Sequence, residues 1–270
     1  MSLDAARGLL ACPRCAGPLT LDGGSVGCPA GHRFDVARQG YVNLANAAPP
    51  ANAHTPAMLA ARDRFLASGL YDRIADDVAA RVAGAGAATV VEVGAGTGFY
   101  LGRVLDAVQG ARGVALDVSP AAARRAARTH PRAAAIVADV WQPLPLRSGR
   151  FGAVVCVFAP RNMPEFARVL AAHGLLVVVT PTAAHLDALR ARHGLLGIED
   201  DKDERLLRSS LGLFEAIARN RLDYRVRAPG AAVRDLIAMG PNAFHGVPDD
   251  VEDAEMHVSV TVSLFRRPAG

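Results

Sequence analysis

Lysine is almost absent from this sequence: Lys202 is the only one among 30 lysine and arginine residues in 270. Arginine therefore carries the basic charge. The formal excess of +4 is compatible with a polyanionic partner but does not establish one. Genome composition alone can produce the same Ala/Arg/Gly usage, so the arginine bias has little weight. No run of eighteen apolar residues occurs, which argues against a membrane-spanning helix and a membrane partner. Met1-Ser2-Leu3-Asp4-Ala5-Ala6-Arg7 lacks the basic start and apolar middle of a secretory leader, so a cytoplasmic, reducing setting is expected. Internal repeats and low-complexity tails are missing too. An apolar fraction of 51% suffices for one large core and a small accessory domain.

Cysteine is scarce but unevenly placed. Three of the four cysteines lie in the first thirty residues as Cys12-Pro13-Arg14-Cys15 and Cys28-Pro29-Ala30-Gly31-His32. The pattern C-x2-C-x12-C-x3-H offers four soft or borderline donors in two close pairs, as a closed tetrahedral zinc site requires. Gly17-Pro18 and Gly23-Gly24 favour a compact two-knuckle ribbon between them. A disulfide framework would need an oxidising compartment and would leave one cysteine over; separate structural thiols are the remaining alternative. Because Cys12, Cys15, Cys28 and His32 leave no ligand position open, the zinc is expected to be structural, one per chain. Cys156 stands alone in an apolar strand and reads as a small core residue.

The chain is organised around Val90-Val91-Glu92-Val93-Gly94-Ala95-Gly96-Thr97-Gly98. A β-branched run, three alternate glycines and then helical spacing from Phe99 form the strand–turn–helix unit that opens a doubly wound α/β domain. Such a turn lets a nucleotide-like ligand approach the backbone. The spacing is G-x-G-x-G with Glu92 two places earlier, which resembles motif I of the S-adenosylmethionine (SAM) methyltransferases rather than a dinucleotide fingerprint. Ala111 to Asp117 reads as the next strand, ending in an acid suited to ribose hydroxyls. Ala135 to Val140 is a third strand carrying Asp139, where the resemblance implies an acceptor for the adenine amino group. The expected cofactor set is Glu92, Gly94, Ala95, Gly96, Gly98, Asp117, Val118, Asp139 and Val140.

Past the ribbon, C-P-x-C, then C-x2-G-H-x-F-D-x-A-R-x-G-Y-V-N-L through Leu44, followed by a SAM domain, resembles the RlmA family of ribosomal RNA guanine-N-1 methyltransferases. The likeness covers nearly the whole chain and continues through Met58-Leu59-Ala60-Ala61-Arg62. It departs at Ala53-His54-Thr55-Pro56, where the family usually carries a Gly-Asp pair. Val157-Phe158-Ala159-Pro160-Arg161-Asn162 and Ala138-Asp139-Val140-Trp141 look more like the branch that confers resistance to tylosin-type macrolides. The resemblance implies a guanine in a domain II hairpin of 23S ribosomal RNA as target. It also implies a Rossmann-like SAM domain over 84–270, a zinc ribbon for RNA recognition over 1–46, and leading helices over 47–83.

Strands are expected at 151–158, 174–180, 222–227 and 257–265, with helices at 165–172, 206–218 and 231–239. Asp200-Asp201-Lys202-Asp203-Glu204-Arg205 reads as a solvated helix start. The loop Met239 to His245 presents Phe244, either as core or as a base-stacking ring. Guanine N-1 is a poor nucleophile until its proton leaves, so an acceptor is needed nearby. Asn162 and His185 are the candidates, although His185 also reads as a surface residue on a helix near a strand end. Arg161 suits the charge developing on the guanine oxygen. Two other classes stay open, a small-molecule SAM methyltransferase and a non-catalytic ribbon protein that binds RNA. A homodimer is compatible with the sequence.

Overall fold

The computed structural model describes residues 2–197 and 202–269; Asp200 and Asp201 of the charge run lie outside them. A 3-10 turn at Ser2–Ala6 precedes the ribbon. The ribbon itself is a three-stranded antiparallel sheet of β1 (Thr20–Asp22), β2 (Ser25–Gly27) and β3 (Arg33–Asp35). Gly23, at φ 61°, turns β1 into β2 in a conformation that favours glycine. The next strand, β4 (Tyr41–Asn43), leaves the ribbon and pairs parallel with a distant strand of the main sheet.

Two helices follow. Thr55 caps α1 (Pro56–Ala67) by accepting from the Met58 N–H, and Pro56 fits its first turn. After Gly69 comes α2 (Asp72–Gly84). The chain then alternates: β5 (Thr89–Val93), α3 (Phe99–Ala107), β6 (Arg112–Asp117), α4 (Pro120–Ala126), β7 (Ala133–Val137), β8 (Phe151–Val157), α5 (Met163–Val169) and β9 (Leu170–Pro181). The last third holds α6 (Asp187–His193), α7 (Lys202–Ser210), β10 (Glu215–Ala228), α8 (Gly230–Ala238) and β11 (Ala254–Arg266), with a 3-10 turn at Pro241–His245.

The large sheet has the order β10-β11-β9-β8-β5-β6-β7-β4. Pairs from β4 to β9 are parallel, whereas β11 runs antiparallel to both β9 and β10. From β5 the chain winds outward through β6 and β7, then returns to β8 on the other side. That reversal opens a crevice at the carboxyl edge between β5 and β8, where ligands of such folds bind. Alternate side chains feed two cores. Val90 and Ala115 pack with Ile74, Val78, Leu101 and Val104 on one face. Val91 and Leu116 pack with Phe166, Leu3, Leu9 and Leu10 on the other.

Two expected helices are shortened by long-range pairing. The helix foreseen over 165–172 stops at Val169, because Leu170 pairs with Phe151 and begins β9. The one foreseen over 206–218 stops at Ser210; Gly212 turns the chain at φ 74°, and Glu215 onward pairs with β11. β10 and β11 are thus longer than the alternation at 222–227 and 257–265 suggested. The segment expected to be one ribbon unit also divides its contacts. Leu3, Ala5, Ala6, Leu9, Leu10, Val42 and Leu44 pack in the same core as Val91 and Ile136, and Arg112 donates to the Ala5 and Arg7 carbonyls.

Candidate active site

At the ribbon tip, the Cys12 and Cys28 sulfurs each stand 3.5 Å from His32 Nδ1, and those of Cys15 and Cys28 are 3.6 Å apart. All four donor atoms lie within 4.8 Å of one another. Tetrahedral zinc with bonds of about 2.0–2.3 Å spaces its ligands by roughly 3.5–3.8 Å, so the donor set and spacing fit that ion. Backbone bonds from Ala16 to Cys12 and from Gly31 to Cys28 shape the two knuckles. Zinc here would be held with no open position and would supply folding energy rather than chemistry.

Motif I sits at the crevice. Gly94, Gly96 and Gly98 have φ of 68°, 55° and 79°. A Cβ on Gly94 would overlap the Ala159 methyl, and one on Gly98 would come within 2.9 Å of Thr129 Cγ2. The glycines are therefore dictated by conformation and by crowding together. Ala95 is buried behind the turn, its N–H donating to the Leu116 carbonyl. Buried Asp117 braces the turn: one oxygen accepts from Gly96 N at 2.8 Å and the other from Ser119 N at 2.9 Å. Each carboxylate oxygen keeps a lone pair for a ribose hydroxyl. Glu92 accepts from Leu101 N at 2.9 Å, and burial pushes its carboxyl pKa up to about 8.

Further along the edge, Val118, Ala138 and Asp139 line a cavity of about 190 Å3. Its opposite wall is the connector Leu44 to Ala48, together with Pro143 and Pro145. The Asp139 Oδ1 accepts from Trp141 N, and the Val140 carbonyl accepts from the Asn162 amide. A mostly apolar cavity with one carboxylate suits a purine. The turn, Asp117 and this slot together form a fitting cradle for SAM. A wider depression beside Gly230, Arg234 and Asp249 is lined by none of the motif residues.

The residues expected to meet substrate lie after β8. Phe158 adopts φ 54°, an uncommon conformation for a bulky residue and one associated with functional sites. Arg161 is half-buried and makes no hydrogen bond or ion pair among the described residues. Asn162 caps α5 by accepting from Glu165 N, while its amide reaches the loop after β7. His185 is buried in a turn before α6, rather than on a surface helix. Its Nδ1 accepts from Ser259 N at 3.2 Å, which leaves the hydrogen on Nε2, 3.1 Å from the Tyr71 hydroxyl. Burial lowers its pKa to about 4, reinforced by Arg190 and His257. Both ring nitrogens are engaged, so His185 has no free lone pair for a substrate proton. Phe244 is half exposed on its loop, not core. Two features escaped sequence reading: the connector as a cavity wall, and Arg62, whose guanidinium lies against Gly96. The Met58–Arg62 segment was the available signal for the latter.

The zinc-ribbon model described as RlmA, N-terminal, matches residues 10–47, and a methyltransferase-domain model matches residues 90–182. A Streptomyces fradiae protein named 23S rRNA (guanine(748)-N(1))-methyltransferase is 46% identical, over 95% of this chain and 96% of its own. A Micromonospora griseorubida protein to which guanine-N(1) methylation of 23S rRNA is ascribed is 45% identical over 88% of each chain. Among solved structures, the [4+2]-cyclase SpnF aligns over 74% of this chain and 81% of its own, with TM-score 0.50 and 20% identity, a likeness of fold alone. With a ribbon and a methyltransferase domain both matched and this identity sustained over 95% of its length, the chain belongs to the RlmA family, a zinc ribbon joined to a Rossmann-like SAM methyltransferase domain.

Proposed function

We propose that this chain transfers the methyl group of SAM to N-1 of a guanine in 23S ribosomal RNA. The observation that carries the reading is the joint presence of the motif I cradle and the Cys3His ribbon in a chain 46% identical, over 95% of its length, to an enzyme of that name. SAM supplies a methyl group activated on its sulfonium. The protein's task is to hold guanine in line with it and to favour loss of the N-1 proton. Arg161, unpaired at the end of β8, suits the charge that moves to the guanine oxygen. Asn162 fastens the loops after β7 and β8 to each other. Neutral His185 positions the wall behind Phe158, their ring centroids 5.7 Å apart.

The finer reading places the target in the domain II hairpin, with tylosin-type macrolide resistance as the consequence. It is made for a single chain; neither the fold nor the relatives' names speak for a homodimer. No helix among the described residues is long and apolar enough to cross a membrane, in keeping with work on ribosomal RNA in the cytoplasm. The test is methyl transfer from labelled SAM to 23S RNA, followed by primer extension. A stop at one guanine is expected, because a methyl on N-1 blocks the Watson–Crick edge. Label on ribose, on an exocyclic position or only on small metabolites refutes the reading. Arg161→Met should lower kcat by about 10–100-fold, the worth of one charge-assisted hydrogen bond, with SAM affinity unchanged by calorimetry.

A further inference from the structure

Charge on α1 is distributed in a way the helix itself does not require. Three consecutive charged residues, Arg62, Asp63 and Arg64, face different neighbours. Asp63 pairs with Arg125 at 2.9 Å and Arg64 with Asp235 at 2.5 Å, which locks α1 against α4 and α8. Arg62 makes no hydrogen bond or ion pair among the described residues, although it is half-buried. Its Nε lies 3.1 Å from where a Cβ on Gly96 would stand. Its charge reaches the buried Glu92, Tyr71 and Tyr100, yet none of them accepts from it. A guanidinium has five N–H donors and no acceptor, and leaving them unmet in a half-buried place is costly unless something arrives to take them.

The order of the strands says what arrives. Along the carboxyl edge, the slot at Asp139 follows β7, Asp117 follows β6, and the glycine turn follows β5. A ligand with its purine in the slot and its ribose at Asp117 places its remaining end at the glycine turn, beneath Arg62. In SAM that end is an amino acid, whose only anionic group is the α-carboxylate. Carboxylates match guanidinium geometry bidentately, which a lysine in the same place would not reproduce.

We propose that Arg62 is the carboxylate-recognising residue of the cofactor site and makes it selective for ligands that keep the amino-acid carboxylate. The proposal rests on the SAM reading above and deepens it. α1 thereby acts as a preset clamp, flanked by the Asp63–Arg125 and Arg64–Asp235 pairs, with Arg62, unpaired among the described residues, facing the turn.

Calorimetry with SAM and with decarboxylated SAM tests this on the zinc-loaded protein, without any turnover. The wild type is expected to bind SAM about 10–100-fold more tightly than the decarboxylated analogue, the range of one charge-assisted pair. Arg62→Met should lose that preference by weakening SAM binding alone, leaving the analogue bound equally well or more tightly. Arg62→Lys should recover part of the preference, and a matching melting temperature would show that the variants fold. Equal weakening for both ligands would make Arg62 a brace of the turn and overturn the proposal. Undiminished SAM binding with weakened RNA binding would make it a phosphate contact and overturn it equally. Failure of the wild type to bind either ligand would sink the SAM reading itself, a result distinct from both.

Discussion

Gly94 and Glu92 show how single residues hold the glycine turn in shape. Gly94 combines φ of 68° with a methyl neighbour at Ala159, so Gly94→Ala suffers both strain and overlap. Residues held in such regions cost on the order of 1–3 kcal/mol. The variant should melt several degrees lower, at about 2–4 °C for each kcal/mol in a chain of this size. Adding Ala159→Gly should restore only the steric share, a difference that thermal melts of the single and double variants will read. Glu92 makes a pH prediction. Its folded pKa, raised by burial to about 8, exceeds its unfolded value of about 4.5. The fold therefore retains a proton that the unfolded chain releases, and this contribution is full below pH 4.5 and lost as pH rises through 8. Glu92→Gln keeps an acceptor for Leu101 N but removes the titration. Without SAM, its unfolding free energy relative to wild type should rise steadily between pH 5 and 8, by at most about 1.4 kcal/mol per pH unit, as denaturant titrations will read. A constant difference across that range would contradict the assignment.

Elements add what residues cannot, and β4 is the clearest case. It fastens the far end of the ribbon to the large sheet, through parallel pairs with β7 and the buried Val42, with Leu44 beside it, as Leu3, Leu9 and Leu10 fasten the near end. The connector after it then walls the slot at Asp139. Zinc and β4 should consequently fail differently. Cys12→Ser should release the one zinc per chain found by elemental analysis and disorder residues 12–36, since a ribbon this small has little core of its own. SAM affinity should stay within about threefold, because Val42 and Leu44 anchor the connector without the metal. Val42→Asp should do the reverse. An uncompensated carboxylate in that core detaches β4 and weakens SAM binding about tenfold or more, while zinc content holds. Isothermal titration and zinc analysis on the two proteins decide this; loss of SAM binding in Cys12→Ser would show that the ribbon and cradle are one cooperative unit.

At the scale of the whole molecule, an arginine-bearing ribbon is fastened to the flank of a sheet whose other strands carry the proposed cofactor and substrate residues. Arg14 lies over the Phe34 ring at 5.9 Å, and Arg33 donates to Asp22 and Ser25, so both are shaped by the ribbon while remaining solvent-facing. With Arg38 they suit phosphate contacts that set register without reading sequence. Changing all three to glutamine should weaken binding of a 23S hairpin transcript and flatten its salt dependence. The loss in log–log slope is expected to be about 0.7–0.9 for each phosphate contact removed, with SAM affinity intact. An unaltered slope would place the RNA elsewhere on the molecule.

The metal-ligand cluster and the glycine turn were legible in the sequence, as was the placing of Asp117 at a strand end, because each depends on spacing along the chain; Asp139 lies two residues beyond β7, not in the strand expected through Val140. Ligands three and four residues apart form knuckles, glycines two apart form the turn, and an acid at a strand end meets the crevice whatever the rest of the fold does. Tertiary structure decided what spacing cannot express. Leu170 and Glu215 became strand because partners at Phe151 and Arg266 outcompeted local helical preference. His185 left the surface through bonds to Tyr71 and Ser259, 114 and 74 residues away. Arg62 met Gly96 only because α1 buries Leu59, Phe65 and Leu66 in the core, while Asp63 and Arg64 reach partners on α4 and α8. Chemistry that resides in neighbouring residues is written locally; chemistry assembled across the crevice exists only once the sheet has closed around it.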